Sequence, residues 1–160
     1  MGQCCSILKR QRDLQIDREL IDAKFGDYFS FTGKRMGKIV SVYDGDTCTA
    51  VFRILPDSDI KSNPLIQYRI RLTGVDTPEL KPALSTPNRE KIVTKAKEAK
   101  SVVEEKILNK IVILDCQGFD KYGRILATIM VDDLNLNEWL IKEKYGVSYD
   151  GRTKDDSLAA

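Results

Sequence analysis

Between Lys38 and Leu55 the chain reads KIVSVYDGDTCTAVFRIL, two apolar runs hinged on Asp44-Gly45. An Asp-Gly pair accepts the backbone angles of a tight antiparallel reversal, and the flanking residues alternate, so the stretch predicts a β-hairpin. A first strand that returns at once into a second argues against a ferredoxin-like sandwich, which wants a helix there. QYRIRLTGV, Gln67 to Val75, sets Gln67, Arg69 and Arg71 against Tyr68, Ile70 and Leu72, the period of a half-buried third strand. The period then changes. In REKIVTKAKEAKSVVEEKILN, Ile92, Ala96, Ala99, Val103 and Ile107 fall on one side of a helix. KIVILDCQ and YGRILATIMV supply two more strands around GFDK, and NLNEWLIKEKYG predicts a short closing helix capped by Asn135 or Asn137. The expected fold is a β-barrel with helices (α+β): a five-stranded Greek-key barrel of OB type, one helix between strands 3 and 4, and a short C-terminal helix.

A chain of 160 residues normally supports one core. The barrel domain is expected over 37–150, after an N-terminal segment over 1–36 and before a polar tail over 151–160. Within the first segment, Leu14, Ile16, Leu20, Ile21 and Phe25 suggest a short, moderately amphipathic helix. FGDYFSFTGKRMGK, residues 25–38, reads as a linker into the barrel, and PDSDIKSNP as a polar loop.

Composition narrows the chemistry. The chain has no histidine, which excludes histidine-based nucleophilic triads and histidine-ligated zinc. Its four cysteines, Cys4, Cys5, Cys48 and Cys116, show no CxxC spacing, which argues against a zinc or disulfide framework. Cys48 lies on an alternating strand and is expected to be a small buried apolar residue. A net charge of +2 implies no long-range steering, so a nucleic-acid partner must be held by a local basic cluster. No apolar run approaches the ~18 residues of a membrane span, and no signal-peptide core follows the start. Acid–base work must fall to carboxylates, Lys, Tyr or metal-bound water.

Three segments carry groups suited to one reaction. DGDT supplies Asp44 and Asp46, RLTGVDTPE supplies Arg71, Asp76, Thr77 and Glu79, and DKYGR supplies Lys121, Tyr122 and Arg124. Pro78 removes a donor and biases Thr77 away from helical geometry, so strand pairing is expected to stop there and leave two carboxylates and a carbonyl at a strand end. Carboxylate and carbonyl oxygens are hard ligands that suit Ca²⁺ or Mg²⁺, and guanidinium groups match phosphate oxygens. Such a set equips a site for phosphodiester cleavage. A barrel that binds nucleic acid or protein without cutting it is the alternative.

The order DGDT, R-x4-DTPE, helix, DKYGR and an asparagine-started helix (LNEWL), from about Gly37 to Tyr149, resembles the staphylococcal nuclease (thermonuclease) family. The resemblance implies a Ca²⁺ ion held by Asp46, Asp76 and the Thr77 carbonyl, with Glu79 orienting or deprotonating the attacking water. It also implies Arg71 and Arg124 on the scissile phosphate, Lys121 and Tyr122 at a neighbouring phosphate, and Tyr149 lining the nucleotide site. The expected substrate is DNA or RNA, single-stranded above all, the products 3′-phosphorylated, and the protein a monomer. The family's third, C-terminal helix has no counterpart after Tyr149, where the sequence is DGRTKDDSLAA, and the N-terminal helix is a candidate to pack in its place.

The first residues, MGQCCS, fit the N-myristoylation pattern at Gly2, with Cys4 and Cys5 placed for palmitoylation and Lys9, Arg10 and Arg12 next. One acyl chain binds membranes only marginally, so a second chain or the basic cluster is required. The expected location is the cytoplasmic face of a membrane in a eukaryotic cell, or the cytoplasm if the end is not acylated.

Overall fold

A computed structural model describes residues 30–55 and 63–150. The expected N-terminal helix, the acylation sequence at Gly2, Cys4 and Cys5, and the tail over 151–160 lie outside the described residues.

Strands β1 (Thr32–Val42), β2 (Thr47–Arg53) and β3 (Leu65–Leu72) form an antiparallel meander. Strand β5 (Ile111–Phe119) pairs with the other edge of β1, and β6 (Ile125–Val131) pairs with β5. The sheet closes because β6 also runs parallel to β3, with Ile70 opposite Ile125 and Leu72 opposite Ala127. A closed five-stranded barrel leaves no long unpaired edge. Its interior is filled from every strand, by Ile39, Phe52, Ile70, Leu114, Ile125 and Ile129 among others, all essentially without exposure. The barrel and its two helices match the expected OB architecture.

Helix α1 (Arg89–Ile107) lies between the third and fourth barrel strands, and the five residues buried along it are the expected Ile92, Ala96, Ala99, Val103 and Ile107. It ends where Asn109 takes a left-handed φ of 63° and donates its N–H to the Ile39 carbonyl, which ties the helix end to β1. Helix α2 (Leu136–Lys142) starts at Asn135, whose side chain accepts from the Glu138 N–H, and buries Leu136 and Leu140. Of the two candidate caps, Asn135 is the one used.

The chain departs from the expected element bounds in three places. Strand β1 starts at Thr32, inside the segment read as a linker, because Thr32 to Lys38 pair residue by residue with Gln117 to Ile111 of β5. The inward positions there are Arg35 and Gly37, so no apolar alternation announces the strand. The third strand stops at Leu72 and not at Val75: Thr73-Gly74 turns, with Gly74 at φ 72°, and β4 (Val75–Asp76) pairs instead with β8 (Val147–Ser148). A further short strand, β7 (Leu134–Asn135), returns from β6 through Asp132-Asp133, both at positive φ, as a two-residue hairpin turn requires.

Candidate active site

The tip between β1 and β2 is folded back on itself. Tyr43 donates to the Thr47 carbonyl, and the Asp46 N–H donates to Asp44 Oδ1 at 3.2 Å. Gly45 is required by close packing: a Cβ there would lie 2.9 Å from the Thr77 side chain and 3.0 Å from Ala99. The same absence of a side chain operates at Gly146, where a Cβ would lie 2.8 Å from the Asp76 carbonyl oxygen. These two glycines let the hairpin tip and the segment after α2 both close on the Asp76-Thr77 corner.

Asp46 is the hub of that corner. Its Oδ2 accepts the Thr77 backbone N–H at 2.9 Å and the Thr77 hydroxyl at 3.0 Å, while its Oδ1 accepts the Thr47 hydroxyl at 3.0 Å. Arg71 places Nη1 2.6 Å from Asp46 Oδ1 and Nη2 2.8 Å from Asp76 Oδ1. One guanidinium therefore bridges two carboxylates, and Asp46, Arg71 and Asp76 are 6%, 8% and 3% exposed. Burial is tolerated because each charge has an opposite partner and further hydrogen bonds. Asp44 lacks such a cation. Burial, and next the charge of Asp46, push its carboxyl up to about 6.

Arg124 enters from the other side, on the turn into β6. Asp120 organises that turn: its Oδ1 accepts the N–H groups of Tyr122 and Arg124 at 2.8 and 2.9 Å, and its Oδ2 takes Arg124 Nε at 2.6 Å. Burial raises the Asp120 carboxyl, but the hydrogen bonds from Arg124 and Tyr122 and the guanidinium charge outweigh it and hold the group below its ordinary value. Arg124 Nη1 reaches the Thr47 hydroxyl at 3.4 Å, so Thr47 touches both Asp46 and Arg124. The Tyr122 ring lies under both cations of the turn, 5.1 Å from Lys121 Nζ and 5.5 Å from Arg124 Cζ.

All ten residues singled out in the barrel sequence, Asp44, Asp46, Arg71, Asp76, Thr77, Glu79, Lys121, Tyr122, Arg124 and Tyr149, line one open cleft of about 810 Å³. Glu79, Lys121 and Tyr122 are exposed within it, and Tyr149 is half-buried, its N–H donated to the Gly74 carbonyl. Gly2, Cys4 and Cys5 lie outside the described residues. Residues not singled out also line the cleft: Gln67 and Arg69, on the β3 face that continues from Arg71, and Tyr68 from the other face of the strand. Their signal was the alternation itself, which sets Gln67 and Arg69 on the same face as Arg71.

Asp120 and Asn137 also escaped sequence reasoning. Asn137, read as a possible cap, is buried: it accepts the Ile129 N–H at 3.0 Å and donates to the carbonyls of Thr73 at 2.8 Å and Ala127 at 3.2 Å. It thereby joins α2 to the turn that begins the Asp76 segment. Asp-x-x-Gly before a strand is a turn signal, and it could have revealed Asp120. Cys48 and Cys116 are buried free thiols, and burial pushes Cys48 up to about 12, so neither is a nucleophile.

The donor set suits a hard divalent cation. Asp46 and Asp76 are held within reach of one guanidinium nitrogen pair, and with the Thr77 carbonyl they offer oxygen ligands only. Among the described residues no three His, Cys, Asp or Glu side chains cluster as a ready-made cage. An ion here needs oxygens from water or substrate as well.

Three arginines and four carboxylates of the barrel line this one cleft, a set that matches phosphate oxygens and hard cations. A family model described as "Staphylococcal nuclease homologue" matches residues 69–159. Over 109 residues the chain is 38% identical to the thermonuclease of Staphylococcus hyicus, covering 66% of this chain and 54% of that protein. It is 31% identical over 147 residues to an uncharacterized protein of Methanocaldococcus jannaschii, covering 78% of this chain and 66% of that protein. The chain thus spans about half to two-thirds of the length of these relatives. It belongs to the staphylococcal nuclease family.

Proposed function

We propose that the protein is a Ca²⁺-dependent nuclease that hydrolyses phosphodiester bonds of DNA or RNA, preferentially single-stranded, to 3′-phosphorylated products. One observation carries the proposal: Asp46, Arg71, Asp76, Thr77, Glu79 and Arg124 line a single cleft, drawn from three separate segments. Family membership and the thermonuclease relative support the same reading.

In this reading Asp46, Asp76 and the Thr77 carbonyl hold Ca²⁺, which when bound supplies positive charge at the scissile phosphate. Glu79 orients the attacking water and accepts its proton; its exposure on the cleft wall suits a group that must meet bulk solvent. Arg71 and Arg124 bind the phosphate oxygens and stabilise the extra negative charge of the five-coordinate transition state. The bond to the 5′-oxygen breaks, that oxygen takes up a proton from solvent to become a hydroxyl, and the phosphate stays on the 3′ side. Lys121, Tyr122 and Tyr149 bind parts of the strand beyond the reacting group. The open cleft and the Tyr68 and Tyr122 rings suit unpaired bases better than a stacked duplex.

The test is digestion of single-stranded DNA with Ca²⁺, Mg²⁺ or chelator, beside Glu79→Gln. Ca²⁺ should support turnover, Mg²⁺ less, because Mg²⁺ demands stricter octahedral geometry. Chelator and Glu79→Gln should abolish or strongly reduce it. Strand binding without cleavage under all conditions would make the barrel a non-catalytic binding module.

The same reading includes acylation at Gly2, Cys4 and Cys5 and a location on the cytoplasmic face of a membrane, supported by the sequence pattern. In eukaryotic cells the wild type should pellet with membranes while Gly2→Ala stays soluble with equal nuclease activity. Identical fractionation of the two would remove the anchor.

A further inference from the structure

Away from the cleft, the outer face of the barrel is apolar where solvent should favour polar groups. Met36, Leu65 and Ile111 are 69%, 61% and 64% exposed, and Leu55 and Ile113 are also exposed. They are contiguous: Met36 lies opposite Ile113, Lys38 lies between Ile111 and Val51, and Leu65 lies opposite Arg53. Together they line a second groove of about 790 Å³. An exposed apolar sheet face of this extent marks a surface that something covers. The outward charged side chains of the groove are Lys34, Lys38 and Arg53, Arg35 being buried with its guanidinium on the Thr32 and Ile54 carbonyls, and no described carboxylate lines it.

We propose that the chain's own segment Asp13–Asp27 docks on this face. Charge argues for it: the segment carries Asp13, Asp17, Glu19, Asp22 and Asp27 against only Arg18 and Lys24, opposite in sign to the groove. Its apolar residues suit the same surface, since Leu14, Ile21 and Phe25 fall on one side at helical spacing. Chain length permits it. Phe31 is anchored, its ring 5.8 Å from Phe52 and its carbonyl accepting the Gly118 N–H, and Arg35 lies 3.8 Å above the ring. Five residues, 26–30, separate Phe25 from that anchor and can span about 17 Å. Met36 lies five residues along β1, about 17 Å away. The segment can therefore fold back over the strand that it precedes. A second copy would have to oppose one basic face to another. An anionic membrane would meet the acidic segment as well as the basic groove.

Oxidation of Met36 reports coverage, because methionine oxidation follows exposure. The full-length protein is treated with dilute hydrogen peroxide and Met36 sulfoxide is followed by peptide mass spectrometry, in wild type and in Ile21→Asp/Phe25→Asp. Wild-type Met36 should oxidise about fivefold or more slowly than in the variant. The wild-type rate should not change with protein concentration or on adding phosphatidylserine-containing vesicles. Should the aspartate pair fail to fold, Ile21→Ala/Phe25→Ala gives the same readout. Equal, rapid oxidation in both proteins overturns the proposal. Protection that grows with protein concentration overturns it in favour of a second copy, and protection that needs vesicles overturns it in favour of a membrane.

Discussion

Thr77 donates both its backbone N–H and its hydroxyl to one oxygen of Asp46, across 31 positions of sequence, at 2.9 and 3.0 Å. The pair locks the tip of the first hairpin to the corner that carries Asp76. Both residues are almost fully buried, so the two hydrogen bonds to a charged acceptor are screened little by water. Thr77→Val keeps the shape and removes only the hydroxyl. It should lower unfolding free energy by about 1.5–3 kcal/mol, the range for a hydrogen bond to a charged group. Urea titration with an unchanged m-value checks it.

Arg71 and Arg124 should differ from Lys121 in the way they fail. Removing either arginine takes away charge stabilisation that is strongest in the transition state, so kcat should fall by about 10²–10³ or more. Lys121 is exposed at the cleft rim and is assigned to an outer phosphate, so Lys121→Ala should raise KM and leave kcat near wild type. Steady-state kinetics on single-stranded DNA separates the two. An Arg124→Ala enzyme with unchanged kcat would mean that its role is binding alone.

Asp120 should act through Arg124. Asp120→Asn removes the carboxylate that takes Arg124 Nε at 2.6 Å and should lower kcat while the barrel stays folded. Arg124→Lys should not rescue activity, because an ammonium lacks the second donor that reaches Thr47. The folded-state value of Asp120 is depressed, so its contribution to stability is present above the ordinary carboxylate value of 3.8 and is lost as pH falls through the lower folded value. The stability gap between wild type and Asp120→Asn should therefore be constant near neutral pH and shrink in acid. Denaturation midpoints across pH test this.

Asn137 should be a structural residue with a functional signature. Asn137→Ala leaves the Ile129 N–H and the Thr73 carbonyl to find other partners, while the Ala127 carbonyl keeps the Thr73 N–H. Each buried group left unsatisfied costs about 1–3 kcal/mol, so the loss should be several kcal/mol. Its Tm should fall well below that of an Asn135→Ala cap variant, for which about 1 kcal/mol is expected. Calorimetry of the two variants decides it.

Much of the barrel was legible because its signals are local. The hairpin around Asp44-Gly45, strand β3 and the one-sided apolar spacing of α1 each depend on residues a few positions apart, and each element is present. The hairpin closes through a wider loop, with neither Asp44 nor Gly45 at positive φ, and burial along β3 changes at Ile70 instead of alternating. Where inward positions carry Arg35 and Gly37, the local signal vanishes, and the first half of β1 exists only because β5 pairs with it. The break at Gly74 likewise depends on β8, which lies more than 70 positions away.

The site divides in the same way. Sequence by itself determined most of the groups the cleft contains, since residue type and order name every carboxylate, although Gln67, Tyr68 and Arg69 join them only through the path of β3. Tertiary structure alone decided how they share charge. Arg71 faces Asp46 and Asp76 together because barrel closure sets β3 between the hairpin tip and β6, and because Gly45 and Gly146 let two loops pack where a side chain would not fit. Asp120 and Asn137 acquire their roles from backbone groups that only the closed barrel brings within hydrogen-bond distance. Residue chemistry can be read one position at a time, whereas hydrogen bonds and ion pairs depend on distances that the whole chain must first establish.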